Sequence, residues 1–458
     1  MKKNEIRKRF FQYVFFNILS SLGVSVYLLI DTYFISKGMG ADGLAALNVC
    51  LPVFNFLNGF GLMLGIGGGS RFSMMYCNTE RAETDKIFTN AFYASVLISA
   101  VFLLAGLFFS APLTRLLGAD ERIFELSHGY LKTVLLFAPA FVLNNLLVCF
   151  MRNDCAPRLA TLAVLGGSFA NVILDYDFIF VMNMGMRGAA LATSIAPIVS
   201  MAILSIHFLS GWNAFRLRLE KPRFEIIRTI FSLGLPTFVT EVSGGIVILV
   251  FNFIIYRLTG NTGLAAYGVI ANLAIVCTAV YTGLSSGVQP LLCSLHGKKD
   301  VNGQKYLLRL SIVSAFVLAA GIYAAMYLYT PDLVTVFNSD GHAEFQLIAK
   351  QGIRRYFLFM PFMGVNALLS VFFMSCELPA LSQLISLLRG AVLVIPIAFL
   401  FFALKSMSGI WLTVPISEVL TAATGAVIYY YFAKPYEVYV YHYVPNKTDT
   451  AELPTQPS

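Results

Sequence analysis

The chain has 458 residues, of which 58% are hydrophobic and 12% charged, with a net charge of +8 and a mean hydropathy of +0.75. In a soluble protein of this length roughly a quarter of the residues are charged, so most of this surface is expected to face lipid. Long apolar runs recur from Phe10 to Phe432, which excludes a soluble enzyme with a single anchor. The composition predicts an all-α membrane protein that crosses the bilayer many times.

Segments of about 20 apolar residues divide the chain into twelve predicted transmembrane helices. They cover residues 10–36, 44–73, 88–111, 130–152, 158–182, 187–210, 229–257, 263–295, 306–329, 352–375, 378–404 and 408–432. The second and eighth are longer than a bilayer requires, which predicts that they tilt or extend beyond the membrane.

Lysines and arginines are concentrated in the amino terminus and in the connections that follow every second predicted helix. The positive-inside rule therefore places both termini in the cytoplasm of a multi-pass protein of the cell membrane. The start MKKNEIRKRF is basic, but the apolar run that follows is too long for a cleavable signal peptide. The lipid bilayer accounts for the positive charge, and no nucleic-acid partner is predicted.

Other classes of site lack their characteristic patterns. The seven cysteines show neither CxxC spacing nor a partnering histidine pattern, so no disulfide framework or zinc site is predicted. The glycine run GLMLGIGGGSRFS follows a membrane helix and lacks the GxxxxGK[ST] order, which favours close helix packing over nucleotide binding. No nucleophile with a nearby base is evident, so neither an enzyme nor a cofactor is predicted.

The second half of the chain repeats the first at an offset of 220 residues. LAAL at 44–47 is matched by LAAY at 264–267, and Gly67 is matched by Gly287. Several weak matches in the same order favour duplication over chance. Two six-helix bundles related by an axis along the membrane normal are typical of a transporter with its site between the bundles.

This repeat predicts four segments. The amino-terminal six-helix bundle is expected to cover 1–212 and the carboxyl-terminal six-helix bundle 229–432. The basic connection 213–228 would link them on the cytoplasmic side. The polar segment 433–458 is expected to be a disordered cytoplasmic tail.

Ionisable residues at membrane depth are usually functional. Asp31 follows an uninterrupted apolar run in the first predicted helix, which favours a function over a place at the interface. Asn171 and Asp175 are four residues apart in the fifth helix, so their side chains share one face and can both point at one small cation. Asp177 lies about 200° around the helix from Asp175 and is predicted to lie at the interface or against another helix.

Three further polar residues allow two interpretations each. Thr193 lies among small residues in the sixth helix, where it can approach the fifth helix or bond to its own backbone. Glu241 in the seventh helix is a candidate second protonation or substrate site, or the partner of an arginine. Arg389 in the eleventh helix has no acidic neighbour in that helix and is expected to bind backbone carbonyls or loop groups rather than substrate.

The chain resembles multidrug and toxic compound extrusion (MATE) transporters, above all the bacterial branch with short loops. Four segments carry the resemblance: IDTYFISKGMGADGLAALNVCLPV, GLMLGIGGGSRFS, MRNDCAPRLA and NVILDYDFIFVMNMGMRGAALAT. The resemblance implies two pseudo-symmetric six-helix bundles that form a V around a central cleft. It also implies a cation-coupling site at Asp31, Asn171, Asp175 and Thr193, which would be metal ligands if the coupling ion is Na⁺. Tyr176 departs from the family, since many members have proline there.

The resemblance implies a secondary active exporter that exchanges organic cations and amphiphilic drugs for inward H⁺ or Na⁺ by alternating access. We expect a monomer whose partners are small-molecule substrates and the bilayer. The alternative is a flippase for a lipid-linked saccharide, from the same wider superfamily. Such a flippase is expected to have more basic residues in its cleft, and the sequence shows only Arg389 deep in a span.

Overall fold

The computed structural model describes residues 2–76, 81–211, 213–337 and 343–433, which are mostly helical and contain no strand. Within these residues eleven helices are long and apolar enough to cross a membrane, and a pair bent by 52° supplies a twelfth span. The spans are α1 Lys3–Gly40, α2 Asp42–Tyr76, α3 Ala82–Phe108, α4 Phe124–Leu136 with Ala138–Asn153, α5 Pro157–Val181, α6 Gly185–Leu209, α7 Phe224–Gly260, α8 Thr262–Gly297, α9 Val301–Leu328, α10 Ala343–Ser375, α11 Pro379–Ala403 and α12 Met407–Tyr431. The prediction of an all-α membrane protein with twelve spans is confirmed.

Several predicted helix starts are wrong, because α1, α3, α7, α9 and α10 begin earlier than their apolar stretches. Their first turns are charged and continue the helix beyond the apolar stretch. Glu5 and Arg9 form an ion pair at 2.9 Å in α1, and Asp300 caps α9 by accepting a hydrogen bond from Gly303 N at 2.8 Å. Hydrophobicity alone therefore located the apolar part of each helix and missed its charged first turns.

The repeat is visible in the backbone. Gly40 between α1 and α2 has φ 62° and ψ −150°, and Gly260 between α7 and α8 has φ 63° and ψ −152°. Glycine adopts this conformation without strain, so it separates two helices at equivalent points of the two halves. Likewise, α4 bends just before Pro139, while α10 has a 3₁₀ turn at Phe357–Phe359 just before Pro361. The two bundles are therefore pseudo-symmetric.

Each half has its own apolar core, and the first turns of two helices cross from one half to the other. Ile6, Phe10 and Val14 of α1 are buried with the core of the second half. Ile230 and Phe231 of α7 pack with the core of the first half. This exchange ties the halves together at the end of the bundle where α1 and α7 begin, which we call the amino-terminal face.

Small residues allow the halves to touch near this face. A Cβ atom added at Gly67 of α2 would lie 2.0 Å from Ile230 O of α7, and one at Gly287 of α8 would lie 2.9 Å from Val14 Cα of α1. Both glycines are thus needed for the close helix contact. This confirms the packing interpretation of the glycine run in α2.

Candidate functional site

Two carboxyl groups from different helices meet inside the first half. Asp31 of α1 and Asp175 of α5 are 4% and 0% exposed, and their carboxyl groups are within hydrogen-bonding distance of each other. Two buried carboxylates repel strongly when both are charged, because little solvent screens them. A bound proton or small cation relieves this repulsion.

Asn171 and Thr193 complete the cluster, and both are buried. Asn171 Nδ2 lies 3.4 Å from Thr193 Oγ1 on α6. With its amide turned over, Asn171 donates to Asp175 Oδ2 at 3.1 Å and accepts from Thr193 N at 3.2 Å. Asn171 and Asp175 therefore share one face of α5, as their spacing predicts. We call Asp31, Asn171, Asp175 and Thr193 the acidic site.

Two tyrosines that the sequence did not single out border the acidic site. Tyr130 of α4 is 4% exposed and lies near Thr193 and both carboxyl groups. Tyr27 of α1, one turn before Asp31, also lies near both carboxyl groups. The chain has 22 tyrosines, so their composition gave no reason to choose these two.

One oxygen of each carboxyl group has no hydrogen-bond donor. Asp31 Oδ1 and Asp175 Oδ1 are both buried without a partner among the residues described. Buried polar atoms are normally paired, so these two oxygens of one cluster are acceptors that a proton or a cation would satisfy. Carboxylate, amide and hydroxyl oxygens are hard ligands, and together they suit a small, hard cation.

Asp177 lies apart from the acidic site. It begins a π-helical turn, Asp177–Val181, in which Met182 N donates to Asp177 O at 2.8 Å. Asp177 is half-buried, whereas Asp175 is completely buried. The two aspartates of NVILDYDFIF thus have different surroundings, although they are separated by a single residue.

A second candidate site is a cavity of about 170 Å³ between the two halves, which we call the central cavity. The first half contributes residues of α2 and α4, and the second half contributes residues of α7, α8, α10 and α11. Glu241 lines this cavity and packs opposite Gly59 of α2. Hydroxyl groups, among them Thr240 and Ser386, and apolar side chains, among them Met363, make up much of the remaining wall.

Arg389 also lines the central cavity, but the expectation that it binds backbone carbonyls or loop groups is wrong. Its Nη2 lies 3.3 Å from Glu418 Oε1 on α12, and both side chains are largely buried. Asn366 Nδ2 of α10 donates to Glu418 Oε2 at 2.6 Å. The acidic partner comes from the next helix, so the absence of an acid in α11 itself was misleading. Glu418 lies within the apolar run of α12, and the rule applied to Asp31 would have found it.

A polar network joins the halves between the central cavity and the amino-terminal face. Gln289 Nε2 of α8 donates to Ser70 Oγ of α2 at 2.8 Å and lies 3.4 Å from Asn153 Oδ1 of α4. Ser73 Oγ of α2 donates to the same Asn153 oxygen at 2.6 Å. Arg71 and Glu377 form an ion pair nearby. We call Ser70, Ser73, Asn153 and Gln289 the polar clasp, and Gln289 also lines the central cavity.

Comparisons with known proteins agree with this geometry. The family model MatE matches residues 17–176 and 236–400, one segment in each half. The multidrug export protein MepA of Staphylococcus saprophyticus is 26% identical over 419 residues, covering 90% of this chain and 91% of that protein. MepA of Staphylococcus aureus is 26% identical over 412 residues, covering 88% and 89%.

Solved structures share the fold. One, described as an outward-facing multidrug resistance MATE family transporter, superposes with a TM-score of 0.88 at 21% identity and covers 95% of this chain and 97% of its own. Another is a MOP superfamily transporter from Pyrococcus furiosus, described as having a binding pocket of reverse polarity. It has a TM-score of 0.87 at 20% identity, with the same coverage. The family model spans most of the chain, and the chain therefore belongs to the MATE family of multi-pass membrane transporters.

Proposed function

We propose that the protein exports organic cations and amphiphilic drugs in exchange for inward H⁺ or Na⁺. The observation that carries this proposal is the acidic site, in which Asp31 and Asp175 meet with one unpaired oxygen each. Support also comes from the central cavity between the halves and from the multidrug export proteins that the chain resembles. The acidic site would take the coupling ion, and the central cavity would take the drug.

The amino-terminal face is the cytoplasmic side in this proposal. The first turns of α1 and the start of α9 are rich in lysine and arginine, among them Lys8, Arg9 and Lys305. The positive-inside rule favours the cytoplasm for such segments. The polar clasp then closes the transporter toward the cytoplasm. A cavity of about 170 Å³ is smaller than the roughly 300–1,000 Å³ of most drug sites. The halves must therefore separate further to load a drug.

Coupling requires that ion and drug favour different conformations of the two halves. A proton or Na⁺ at Asp31 and Asp175 removes the repulsion between the carboxylates and lets α1 and α5 pack more closely. Asn171 and Thr193 would supply neutral oxygen ligands for Na⁺. An ion with equal affinity for both conformations would not drive export, so the acidic site must change shape during the cycle.

The alternative function is a flippase for a lipid-linked saccharide. One observation favours it: the central cavity contains a second guanidinium group, that of Arg152, in addition to Arg389. A phosphate-bearing lipid would find two basic groups there. Parallel assays of dye efflux and of lipid-intermediate flipping by the same purified protein separate the two functions.

The test of the export proposal is dye efflux in everted vesicles, driven separately by a proton gradient and by a Na⁺ gradient. Asp31→Asn and Asp175→Asn should each reduce ion-driven efflux at least about tenfold, the effect of losing an interaction of about 1.4 kcal/mol. Asp177→Asn, which makes the same change two residues away, is the matched control and should retain efflux. Normal efflux in the first two variants, at confirmed surface expression, would overturn the assignment.

A further inference from the structure

Arg152 is a charged residue of the central cavity that has no counter-ion among the residues described. It lies in the last turn of α4 and lines the cavity together with residues of the second half. Its Nη2 donates to Ser20 Oγ of α1 at 3.3 Å, while its Nε is buried without a hydrogen-bond partner. Among the residues described, no carboxylate lies within ion-pairing distance of Arg152.

The other guanidinium group of the cavity, that of Arg389, has a counter-ion. Arg389 is paired with Glu418 at 3.3 Å, and Asn366 binds the other carboxylate oxygen at 2.6 Å. The fold thus neutralises one arginine through a dedicated acid and leaves the other with a serine hydroxyl. A buried charge without a counter-charge is costly, unless an opposite charge arrives with a ligand.

The chemistry of the guanidinium specifies the ligand group. Its planar array of N–H donors matches a carboxylate or a phosphate, which accept two parallel hydrogen bonds. Glu241 lines the same cavity and offers a carboxyl group to a basic ligand group. Tyr281 and Met374 contribute apolar surface to the same cavity, of the kind that suits flat, lipophilic molecules.

We propose that Arg152 binds the acidic group of zwitterionic amphiphiles in the central cavity. The acidic group would contact Arg152, the cationic group would lie toward Glu241, and the aromatic or aliphatic body would contact the apolar wall. This assignment rests on the proposed export function and narrows its substrate class. It makes Arg152 a specificity-determining residue that distinguishes zwitterions from simple cations.

The experiment compares two dyes that differ only at the acidic group. Rhodamine 110 carries a free carboxylate and a cationic xanthylium ring, and rhodamine 123 is its methyl ester. Fluorescence anisotropy with the purified protein in nanodiscs measures the Kd of each. Arg152→Gln should weaken rhodamine 110 binding about tenfold or more, as expected for a lost charge-assisted hydrogen bond, and change rhodamine 123 binding less than about twofold.

Arg158→Gln is the matched control. Arg158 lies near Arg152 in the chain but is exposed and packs over the ring of Phe16 at 5.5 Å, outside the cavity. This variant should leave the Kd of both dyes unchanged. Arg152→Lys keeps the charge and should recover part of the affinity for rhodamine 110, which shows that the cavity is intact. Equal losses for both dyes in Arg152→Gln, or no loss for rhodamine 110, would overturn the proposal.

An acidic group can also come from the phosphate of an anionic lipid, which, unlike that of phosphatidylcholine, has no choline cation beside it. Rhodamine 110 titrations in nanodiscs of phosphatidylcholine alone, and with added phosphatidylglycerol, distinguish the two sources. Competition by phosphatidylglycerol that disappears in Arg152→Gln would assign the site to a lipid phosphate; absence of competition would assign it to soluble zwitterions. These are binding measurements without a gradient. A failure of ion-driven efflux of rhodamine 123 by the unmodified protein would therefore contradict the export function without contradicting the binding role of Arg152.

Discussion

The two halves share a backbone plan but differ in what they bury at equivalent positions. Asp31 in the first half corresponds, 220 residues later, to Phe251 in the second. Phe251 is fully buried, and its ring stacks on Tyr267 with centroids 5.5 Å apart. Tyr267 in turn stacks on Trp411 of α12 at 6.3 Å. The first half thus places a carboxyl pair where the second places aromatic rings.

The aromatic side chains of the second half serve packing, whereas the carboxyl groups of the first half form the acidic site. Aromatic stacking fills the interior of the second half and holds its helices in one arrangement. Arg389 of the second half lies instead at the central cavity, where it pairs with Glu418 of α12. The first half keeps a destabilising carboxyl pair in its interior, which an ion can stabilise. The duplicated scaffold therefore buries a carboxyl pair in one half and stacked aromatic rings in the other.

The largest effect is expected when a carboxylate is placed in the second half at the position equivalent to Asp31. Phe251→Asp removes a fully buried ring and introduces a charge among aromatic side chains. Loss of the ring alone costs about 3–5 kcal/mol, and an unpaired carboxylate adds to this. We expect little folded protein, measured as monodisperse material on size-exclusion chromatography in detergent.

Phe251→Leu is the control for this substitution. It keeps the position apolar and should yield folded protein with a lower midpoint of thermal unfolding, since it loses only part of the buried surface. If Phe251→Asp instead folds as well as Phe251→Leu, the interior of the second half tolerates a carboxylate, and the contrast between the halves is wrong.

Removing one partner of the Arg389–Glu418 ion pair is expected to have the next largest effect on stability. Glu418→Leu leaves a buried guanidinium without its partner and should destabilise the protein by about 3–5 kcal/mol. The double variant Arg389→Met with Glu418→Leu removes both charges and should recover most of that loss. Thermal unfolding, followed by thiol-reactive dye labelling of the buried cysteines, measures both. A double variant no more stable than Glu418→Leu would show that the pair does not act as an ion pair.

Much of the fold follows from the sequence alone. The length of the apolar runs located the twelve spans and left gaps at 37–43 and 258–262, where the structure has the breaks at Gly40 and Gly260. The charged first turns were missed, because a helix in water depends on propensity, capping and ion pairs rather than hydropathy. Segments 77–80 and 338–342, and the predicted tail from 434 onward, lie outside the described residues.

The candidate site was predictable where residues share a helix and less so where they meet across helices. The spacing of Asn171 and Asp175 predicted their common face, whereas the contact of Asp31 with Asp175 rested on family resemblance. Arg152 stands at the end of the fourth predicted helix, and nothing in MRNDCAPRLA shows that its side chain turns into a cavity. Contacts of this kind depend on how whole helices are oriented, which no local pattern encodes.

Breaking the polar clasp is expected to have a smaller effect and tests the contact between the halves. Gln289→Leu removes the amide that joins Ser70 to the second half and should destabilise the contact between the halves by about 1–3 kcal/mol. The labelling rate of Cys293, which is buried beside the clasp, should then rise about tenfold for each 1.4 kcal/mol. Mass spectrometry resolves the labelled cysteine.

Gln304→Leu is the matched control for this measurement. Gln304 is buried in α9 and contacts Cys376 Sγ at 3.9 Å within the second half. Its loss should leave the labelling rate of Cys293 unchanged. An equal rise in both variants would mean that labelling reports general loosening rather than opening between the halves.

The smallest effect concerns two hydrogen bonds at equivalent points of the repeat. Ser73 Oγ donates to Asn153 Oδ1 at 2.6 Å in the first half, and Cys293 Sγ lies 3.3 Å from Ser375 Oγ in the second. A thiol is a weak donor, so Cys293→Ala should change the midpoint of thermal unfolding less than Ser73→Ala, which should cost about 0.5–1.5 kcal/mol. Cys293→Ser supplies a hydroxyl, which is a stronger donor than a thiol. This variant should therefore raise the midpoint of thermal unfolding. Equal effects of the two alanine variants would show that packing, rather than the donor, sets the strength of this contact in both halves.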